Sequence, residues 1–175
     1  VIAELAVAET DIRVMWVSAN MRLQEDAKHE LTAVKSKCGF GGDGHVRFSS
    51  YSSLQVAARA SDFVEWLAQV DSPVIVLDEC HALRNSSGVT AQNVENMLVR
   101  LRTARPTLRI LYSSATACSI ARHCEYLGPL GLFGTPESPF HNFDALQQAV
   151  KKHGTSLMEL MAIDLRARGA YIARQ

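Results

Sequence analysis

The sequence predicts an α/β fold built on a parallel sheet. Residues 74–77 are four consecutive apolar side chains, with Pro73 before them and the acidic pair Asp78 and Glu79 after them. A short apolar run between such boundaries is typical of a strand buried on both faces, as in parallel sheets. Strand-like runs also alternate with segments of helical periodicity along the chain. This alternation favours right-handed strand–helix–strand units, with helices on both faces of the sheet.

The composition limits the classes of protein that the chain can represent. It has 175 residues, of which 47% are hydrophobic, with 18 basic and 18 acidic side chains. This is enough apolar material for one domain with a sizeable core, and zero formal charge argues against a globally basic nucleic-acid binder. No apolar run of about 18 residues is present, so no transmembrane helix is predicted, and the first residues lack the pattern of a signal peptide. The four cysteines form no Cys-x-x-Cys pair and the chain is long enough to fold without disulfides, which favours reduced thiols in an intracellular protein. The spacing of Cys118, His123 and Cys124 fits no usual zinc finger.

The first predicted strand covers residues 13–18. Residues 2–8 before it are apolar and alanine-rich, which suits the end of a helix. Asn20 follows the strand as a candidate N-cap for a helix that extends to residue 34. Residues 36–45 are glycine-rich, but no lysine follows the glycines. This segment is therefore predicted to be a surface loop and not a phosphate-binding loop.

Two further strands enclose a helix in the middle of the chain. Residues 46–51 form the second predicted strand, which leads into the turn Tyr51-Ser52-Ser53-Leu54. The helix after this turn has an apolar face formed by Phe63, Trp66, Leu67 and Val70. The central strand before Asp78 comes next. Thr90 is then a candidate cap for a helix with an apolar face formed by Val94, Met97, Leu98 and Leu101.

The last predicted strand begins at Leu108 and ends in Ser114-Ala115-Thr116. A short helix is predicted over residues 119–127, followed by a connection rich in glycine and proline over residues 128–139. Asn142 and Ser156 are candidate caps of two final helices. Their predicted apolar positions are Phe143, Leu146 and Val150 in the first, and Leu157, Leu160, Met161 and Leu165 in the second.

The acidic pair after the central strand is the strongest candidate site. Ligands of open α/β sheets collect at the carboxyl ends of the strands, so acids there are well placed for chemistry. Asp78 can hold a Mg²⁺ ion bound to nucleotide phosphates, and Glu79 can orient or deprotonate an attacking water. The alternative is a buried strand whose solvent end happens to be acidic.

Two motifs carry a resemblance to a known superfamily, and the tail narrows it to one family. Asp78-Glu79-Cys80-His81 resembles the Walker B box of superfamily 2 helicases, and residues 108–116 resemble motif III of the same superfamily. The tail resembles the strawberry notch family in the segments 130–134, 135–136, 139–140, 158–160, 162–165 and 168–175. The resemblance implies a three-layer RecA-like (P-loop NTPase) parallel sheet with helices on both faces, lacking the Walker A strand and loop.

The resemblance also implies roles for individual residues, with ATP and Mg²⁺ as cofactors. Asp78 would bind Mg²⁺, and Glu79 would polarise the lytic water. His81 would couple hydrolysis to motif III through hydrogen bonds to Ser114 or Thr116; the alternative is a histidine that stabilises the turn. In the family, the turn after the first strand reaches a nucleic-acid strand, and the matching positions here are Ser18, Asn20 and Arg22. The alternative for Asn20 is a simple helix cap.

The sequence departs from the family pattern directly after the histidine. Ala82 and Leu83 stand where family members usually carry a lysine and a small residue. The acidic pair is intact, but any phosphate or interdomain contact from that lysine is in doubt.

The resemblance finally implies a place for the chain within a larger motor. It aligns Val1 with the middle of the Walker A helix, so residues 1–175 are expected to be a partial first RecA-like domain. The motif core would cover about residues 1–127, and a family-specific helical extension would cover about residues 128–175. The missing strand would leave the motif III strand with an unpaired edge. The chain alone is expected to be inactive.

The parent protein is expected to be an ATP hydrolase with a second RecA-like domain in cis. It would act on nucleic acid, DNA in preference to RNA, and with chromatin and transcription factors in the nucleus. It would not act at a membrane. Two alternatives stay open: a non-catalytic interaction module with a helicase fold, and a bacterial or phage helicase segment that accompanies DNA-modifying enzymes, which would be cytoplasmic.

Overall fold

The fold contains a four-stranded parallel sheet. The computed structural model describes residues 12–19, 25, 29, 45–85, 87–115 and 121–172. The strands lie in the order β2-β1-β3-β4 and all neighbours run parallel. Their bounds are β1 Ile12–Ser18, β2 Val46–Ser50, β3 Ser72–Asp78 and β4 Arg109–Ser113. This arrangement confirms the predicted α/β fold class with a parallel sheet.

Strand β3 has the central position because its side chains can be buried on both faces. Residues 73–77 are all buried, and the ends of the strand are half-buried. Val17 on β1 pairs with Leu77, and Asp78 pairs with Ser113 on β4. The carboxyl ends of these three strands therefore lie level at one edge of the sheet. Within the described residues β4 is an edge strand, as expected, and its Leu111 is 40% exposed.

Helices and short 3₁₀-helices connect the strands. The α-helices are α1 Ala57–Leu67, α2 Val89–Ala104, α3 Phe143–His153 and α4 Thr155–Ala167. The 3₁₀-helices cover Ser53–Gln55, Cys80–Leu83 and Ala121–Leu130. The chain separates into two compact units, Val1–Ala117 and Cys118–Gln175. The predicted division near residue 127 stays a prediction.

Helix α2 buries the four residues of its predicted face, Val94, Met97, Leu98 and Leu101. Its predicted cap is wrong, because the helix begins at Val89 after Gly88 and has no side-chain cap. Helix α1 buries Ala60, Val64, Trp66 and Leu67. Phe63 is only half-buried, so the buried face of α1 is rotated slightly from the predicted one.

Two arginines join the sheet to these helices. Arg13 Nη1 donates to the Trp66 carbonyl at 2.6 Å and to Gln69 Oε1 at 2.7 Å. The Arg13 guanidinium also lies 5.4 Å from the centroid of the Trp66 ring. Arg105 Nε donates to the Val70 carbonyl at 2.9 Å. These contacts satisfy backbone carbonyls at the ends of α1 and of the turn that follows it.

The second unit contains α3 and α4, which are joined by one glycine. Asn142 caps α3 as predicted, since its Oδ1 accepts the N–H of Ala145 at 2.9 Å. Gly154 has φ 65° and ψ −148° and lies between the two helices. This conformation is open almost only to glycine, so Gly154, and not the predicted Ser156, sets the start of α4. On α4 only Leu165 is fully buried, while Leu160 is 63% exposed.

Cys80 and Cys124 differ in chemical state, and several predicted segments lie outside the described residues. Cys80 is buried as a thiol outside any disulfide, whereas Cys124 is disulfide-bonded. The prediction of reduced thiols is therefore wrong at Cys124. The predicted helices over residues 2–8 and 20–34 and the glycine-rich loop lie almost entirely outside the described residues. In the described part of the chain, no helix is both long and apolar enough to span a membrane.

Candidate functional site

The acidic pair lies where β3 leaves the sheet. Asp78 is the last residue of β3, and its register partner Ser113 is the last residue of β4. The residues that directly follow the two strands, Glu79 and Ser114, therefore emerge side by side. Parallel strands with level ends bring polar groups from distant parts of the sequence to one edge.

Glu79 turns the chain sharply at this edge. Its φ of 51° and ψ of 45° make it the one non-glycine residue with positive φ among the described residues. A glutamate in the left-handed region costs of order 1–3 kcal/mol, and such strain clusters at functional sites. The turn starts the 3₁₀-helix Cys80–Leu83. Cys80 and Leu83 are 0% and 2% exposed, so they anchor this helix in the core while His81 stays at the edge.

One ring nitrogen of His81 joins the two motifs. His81 Nδ1 lies 3.0 Å from Glu79 Oε2 and 3.2 Å from Ser114 Oγ. The side chains of His81 and Glu79 are 41% and 36% exposed, so both remain reachable from solvent. Glu79 Oε2 itself is shielded from solvent and accepts no hydrogen bond from the described residues, so His81 meets it at ion-pair distance only. The sequence-predicted residues Glu79, His81 and Ser114 are therefore brought into one cluster.

The position of the ring proton decides what these contacts are. The contact with Glu79 does not have the geometry of a hydrogen bond, and because an ionised carboxylate can only accept, it is attractive only when Nδ1 carries a proton. A bare Nδ1 instead accepts the Ser114 hydroxyl and faces the carboxylate without a proton between them. The cluster can thus hold Glu79 or release it without moving the backbone, through the tautomer of one histidine.

Asp78 is suited to hold a magnesium ion. Mg²⁺ prefers oxygen ligands and is usually bound by one or two carboxylates together with waters and substrate phosphates. Asp78 is half-buried at the end of β3 and supplies such an oxygen. Among the described residues, no group of three or more histidine, cysteine or acidic side chains forms a metal site. An ion at Asp78 would therefore depend on phosphate oxygens for most of its non-water ligands.

The remaining predicted site residues are placed differently. Ser18 ends β1 with none of its surface exposed, and its carbonyl accepts the N–H of Tyr51 at 3.2 Å. A nucleic-acid contact through its side chain would need a local rearrangement. Asn20, Arg22 and Thr116 lie outside the described residues. The roles of all four stay predictions.

Two residues near this edge are not indicated by any motif. Asn93, on α2, donates from Nδ2 to the carbonyls of Leu54 and Gln55 at 2.8 and 3.0 Å. It thereby holds the end of the 3₁₀-helix Ser53–Gln55, which overlaps the Tyr51–Leu54 turn. Arg84 follows the 3₁₀-helix of His81, and its Nε and Nη2 are shielded from solvent. No spacing rule marks either residue, because their importance comes from contacts, or missing contacts, with residues distant in sequence.

The serine turn after β2 is tied together by its own hydroxyls. Ser49 Oγ lies 2.6 Å from Ser53 Oγ, and Ser50 Oγ lies 2.9 Å from Ser52 Oγ. Ser53 Oγ also donates to the Ser50 carbonyl at 2.8 Å. These bonds fix the turn, as expected for serine side chains that bond to nearby backbone.

Tyr112 lies next to the edge, on β4. Burial raises the pKa of its phenol well above the usual value, and the nearby charge of Arg102 opposes this only in part. The hydroxyl therefore stays neutral over the whole physiological range and acts as a donor or acceptor, not as a base.

Comparison with known proteins assigns this chain to a family. The model of the family described as P-loop containing NTP hydrolase pore-1 matches residues 1–175. Strawberry notch homolog 2 of Mus musculus is 31% identical over 183 residues, which cover 93% of this chain and 13% of the relative. Strawberry notch homolog 1 of Homo sapiens is 31% identical over 192 residues, which cover 93% and 14%. Protein FORGETTER 1 of Arabidopsis thaliana is 28% identical over 187 residues, which also cover 93% and 14%.

The chain thus spans only about one seventh of the length of these relatives. The match nevertheless covers the whole sheet and the carboxyl edge with Asp78, Glu79, His81 and Ser114. This chain belongs to the P-loop containing NTP hydrolase pore-1 family, as a helicase-like member of the strawberry notch type.

Proposed function

We propose that this chain is the Walker B half of an ATP-hydrolysing motor that works on nucleic acid. The observation that carries the proposal is the contact of His81 Nδ1 with both Glu79 Oε2 and Ser114 Oγ. It links the residue proposed to orient water to the strand end proposed as motif III. A buried strand that merely ends in acids gives no reason for such a link.

In the proposed mechanism each residue has a separate task. Asp78 would hold Mg²⁺, and the ion when bound would supply positive charge against the nucleotide phosphates. Glu79 accepts a hydrogen bond from the attacking water and so aims it at the terminal phosphate. His81 positions the Glu79 carboxylate and is in contact with the end of β4 through Ser114. A change at the end of β4 on binding nucleic acid can then alter how Glu79 is aimed.

The finer parts of the proposal follow the resemblance to strawberry notch proteins. The motor would be completed by a second RecA-like domain in cis, would prefer DNA to RNA, and would act in the nucleus with chromatin and transcription factors. Fluorescence imaging of the whole tagged protein tests the location. Competition between DNA and RNA oligonucleotides of one sequence tests the preference.

The experiment that tests the proposed function is the Glu79→Gln substitution in the whole motor. The variant should bind Mg-ATP with a Kd close to that of the parent, because Asp78 is intact. Its turnover should fall by about a hundredfold or more, since a catalytic acid–base group typically contributes about 10²–10⁴-fold. Binding is measured by calorimetry and turnover by phosphate release.

Asp78→Asn is the matched variant, since it should weaken Mg²⁺-dependent binding as well as turnover. An E79Q motor that hydrolyses ATP at the parental rate would contradict the assignment of this box. A parent with no ATPase activity at all would instead indicate an interaction module with a helicase fold.

A further inference from the structure

Arg84 has a guanidinium edge that is bonded by none of the described residues. Its Nε and Nη2 atoms are shielded from solvent, and neither forms a hydrogen bond with any described residue. Its backbone, in contrast, is fixed, because its N–H donates to the His81 carbonyl at 3.2 Å. The residue is therefore held at the carboxyl edge, directly after the 3₁₀-helix that positions His81.

Several other arginines of the described chain are paired. Arg13 bonds the Trp66 carbonyl and Gln69, Arg105 bonds the Val70 carbonyl, and Arg100 Nη1 donates to Ser61 Oγ at 2.9 Å. Arg168 forms an ion pair with Asp164. The two acids closest to Arg84 in sequence do not bond it either: Glu79 is engaged with His81, and Asp78 lies at the strand end.

An unpaired edge of this kind is unfavourable in the ligand-free chain. Nε–H and Nη2–H lose their hydrogen bonds to water on burial, and nothing in the described residues replaces them. Buried polar groups in native proteins are nearly always bonded, so an exception calls for a physical reason. A partner that is present only in the working state of the protein is such a reason.

The chemistry of the partner follows from the atoms that are unpaired. Nε–H and Nη2–H are parallel donors along one edge of the planar guanidinium group. Together they match two oxygens of one phosphate or carboxylate group. Phosphate is favoured here, because the proposed substrates bring phosphate groups to this edge of the sheet. We infer that Arg84 binds a phosphate group with its Nε–Nη2 edge when the motor is loaded, an inference that rests on the proposed function.

Two sources could supply that phosphate: the nucleotide and the nucleic-acid backbone. Enzyme kinetics separate them. Loss of a contact to the nucleotide raises the KM for ATP, whereas loss of a contact to the backbone raises the concentration of a single-stranded oligonucleotide that half-saturates the ATPase. Removal of a bidentate, charge-assisted contact should change the affected constant about ten- to a hundredfold.

The stability of the ligand-free chain provides the first arm of the test. Arg84→Met removes the two shielded, unbonded donors of a half-buried side chain but keeps its length, so it should raise the Tm of this chain by about 2–4 °C. Arg105→Met is the matched control. It removes a guanidinium that bonds a backbone carbonyl, and should lower the Tm by a similar amount.

The kinetics of the whole motor provide the second arm. R84M should raise either the KM for ATP or the half-saturating oligonucleotide concentration, and Arg84→Lys should be only partly active because lysine has no parallel donors. E79Q, measured alongside, distinguishes the two proposals: a parent whose ATPase does not depend on Glu79 overturns the proposed function itself. With that dependence present, an R84M protein that is destabilised like R105M, or that keeps both kinetic constants, overturns the role of Arg84.

Discussion

His81 makes two side-chain contacts through a single ring nitrogen. Nδ1 contacts the Glu79 carboxylate and the Ser114 hydroxyl, yet it can carry only one proton. Ser114 can donate or accept, so the hydroxyl adapts to either state of the ring. The serine therefore affects how firmly His81 holds Glu79 without touching the nucleotide itself.

Removal of the Ser114 hydroxyl should uncouple the motor without preventing nucleotide binding. In the whole motor, Ser114→Ala should leave the KM for ATP nearly unchanged. It should lower the stimulation of hydrolysis by nucleic acid about fivefold, in line with one lost hydrogen bond of about 1 kcal/mol. The ratio of stimulated to basal turnover is the measured quantity. Ser113→Ala, one residue earlier and exposed, serves as the control.

Two results would count against coupling through Ser114. If S114A and S113A lowered the stimulation equally, the contact with His81 would have no special role. If S114A lowered binding and turnover together and also lowered the Tm, the loss would reflect misfolding of the edge.

Tyr112 should make the stability of the protein decrease at high pH. Its folded-state pKa is raised by burial, so the folded chain retains a phenolic proton that the unfolded chain releases above about pH 10. The stabilising contribution is complete below that pH and is lost as the pH rises further. Urea unfolding between about pH 8 and 11 should show a smaller loss of stability in Tyr112→Phe than in the parent. Equal pH slopes would contradict a buried neutral phenol.

At the scale of elements, Asn93 connects α2 to the turn after β2. Its side-chain amide donates to two consecutive carbonyls, Leu54 and Gln55. The Leu54 side chain is fully buried, so the 3₁₀-helix Ser53–Gln55 is held both by this side chain and by the amide. The position of the serine turn therefore depends on α2, the helix that follows the segment Asp78–Leu83.

Loss of this link should destabilise the first unit. Asn93→Ala should lower the free energy of unfolding by about 1–2 kcal/mol, because both carbonyls lose their donor. Asn93→Asp should cost more, since it sets a carboxylate against two carbonyl oxygens. The exposed neighbour Gln92 gives a control, and Gln92→Ala should stay within about 0.5 kcal/mol of the parent in urea unfolding. An N93A protein as stable as Q92A would show that the two bonds contribute nothing.

The elements that the sequence predicts well are those whose partners are also predicted. The run 74–77 and the face of α2 are buried as expected, because a central strand and the helix beside it interact with each other. The starts of α2 and α4 are predicted wrongly, because Gly88 and Gly154 set them through backbone conformation and not through a capping side chain. The apolar face of α4 is predicted only in part, since Leu165 is buried and Leu157 and Met161 are half-buried. Leu160 remains largely exposed.

The residues of the candidate site likewise divide into those that the sequence indicates and those that it does not. Asp78, Glu79, His81 and Ser114 belong to short motifs at strand ends, and parallel strands bring such ends together, so sequence reasoning can find them. The same reasoning does not find Arg84, because its distinguishing feature is that Nε and Nη2 have no hydrogen-bond partner among the described residues. No rule of spacing reports on an unpaired guanidinium.

At the scale of the whole molecule, the 175-residue chain should bind ATP very weakly and should not hydrolyse it. Phosphate affinity in P-loop proteins comes mainly from a glycine-rich loop with its lysine and from a helix N-terminus. The sequence contains no Gly-x-x-x-x-Gly-Lys-Ser/Thr pattern. Without it, Asp78 and Glu79 are a pair of carboxylates that repel a polyphosphate unless Mg²⁺ intervenes. Calorimetric titration with Mg-ATP should give no saturable heat up to about 1 mM, a free energy of binding weaker than about 4 kcal/mol.

A longer chain that includes a phosphate-binding loop is the natural comparison, and it should bind in the micromolar range. If the 175-residue chain itself bound Mg-ATP with micromolar affinity, the phosphates would have to be held by other residues. Arg84 would then be the first residue to substitute.

The left-handed backbone at Glu79 has a consequence for how such a protein can be improved. At φ 51° the peptide favours glycine or asparagine, so either substitution should relieve strain at this one position. A laboratory selection that rewards only thermal stability would therefore tend to replace the residue proposed to orient water. The most heat-resistant clones would include proteins that fold better and no longer turn over ATP. Any evolution experiment on this motor must consequently select for turnover in every round, because at residue 79 robustness and activity favour different amino acids.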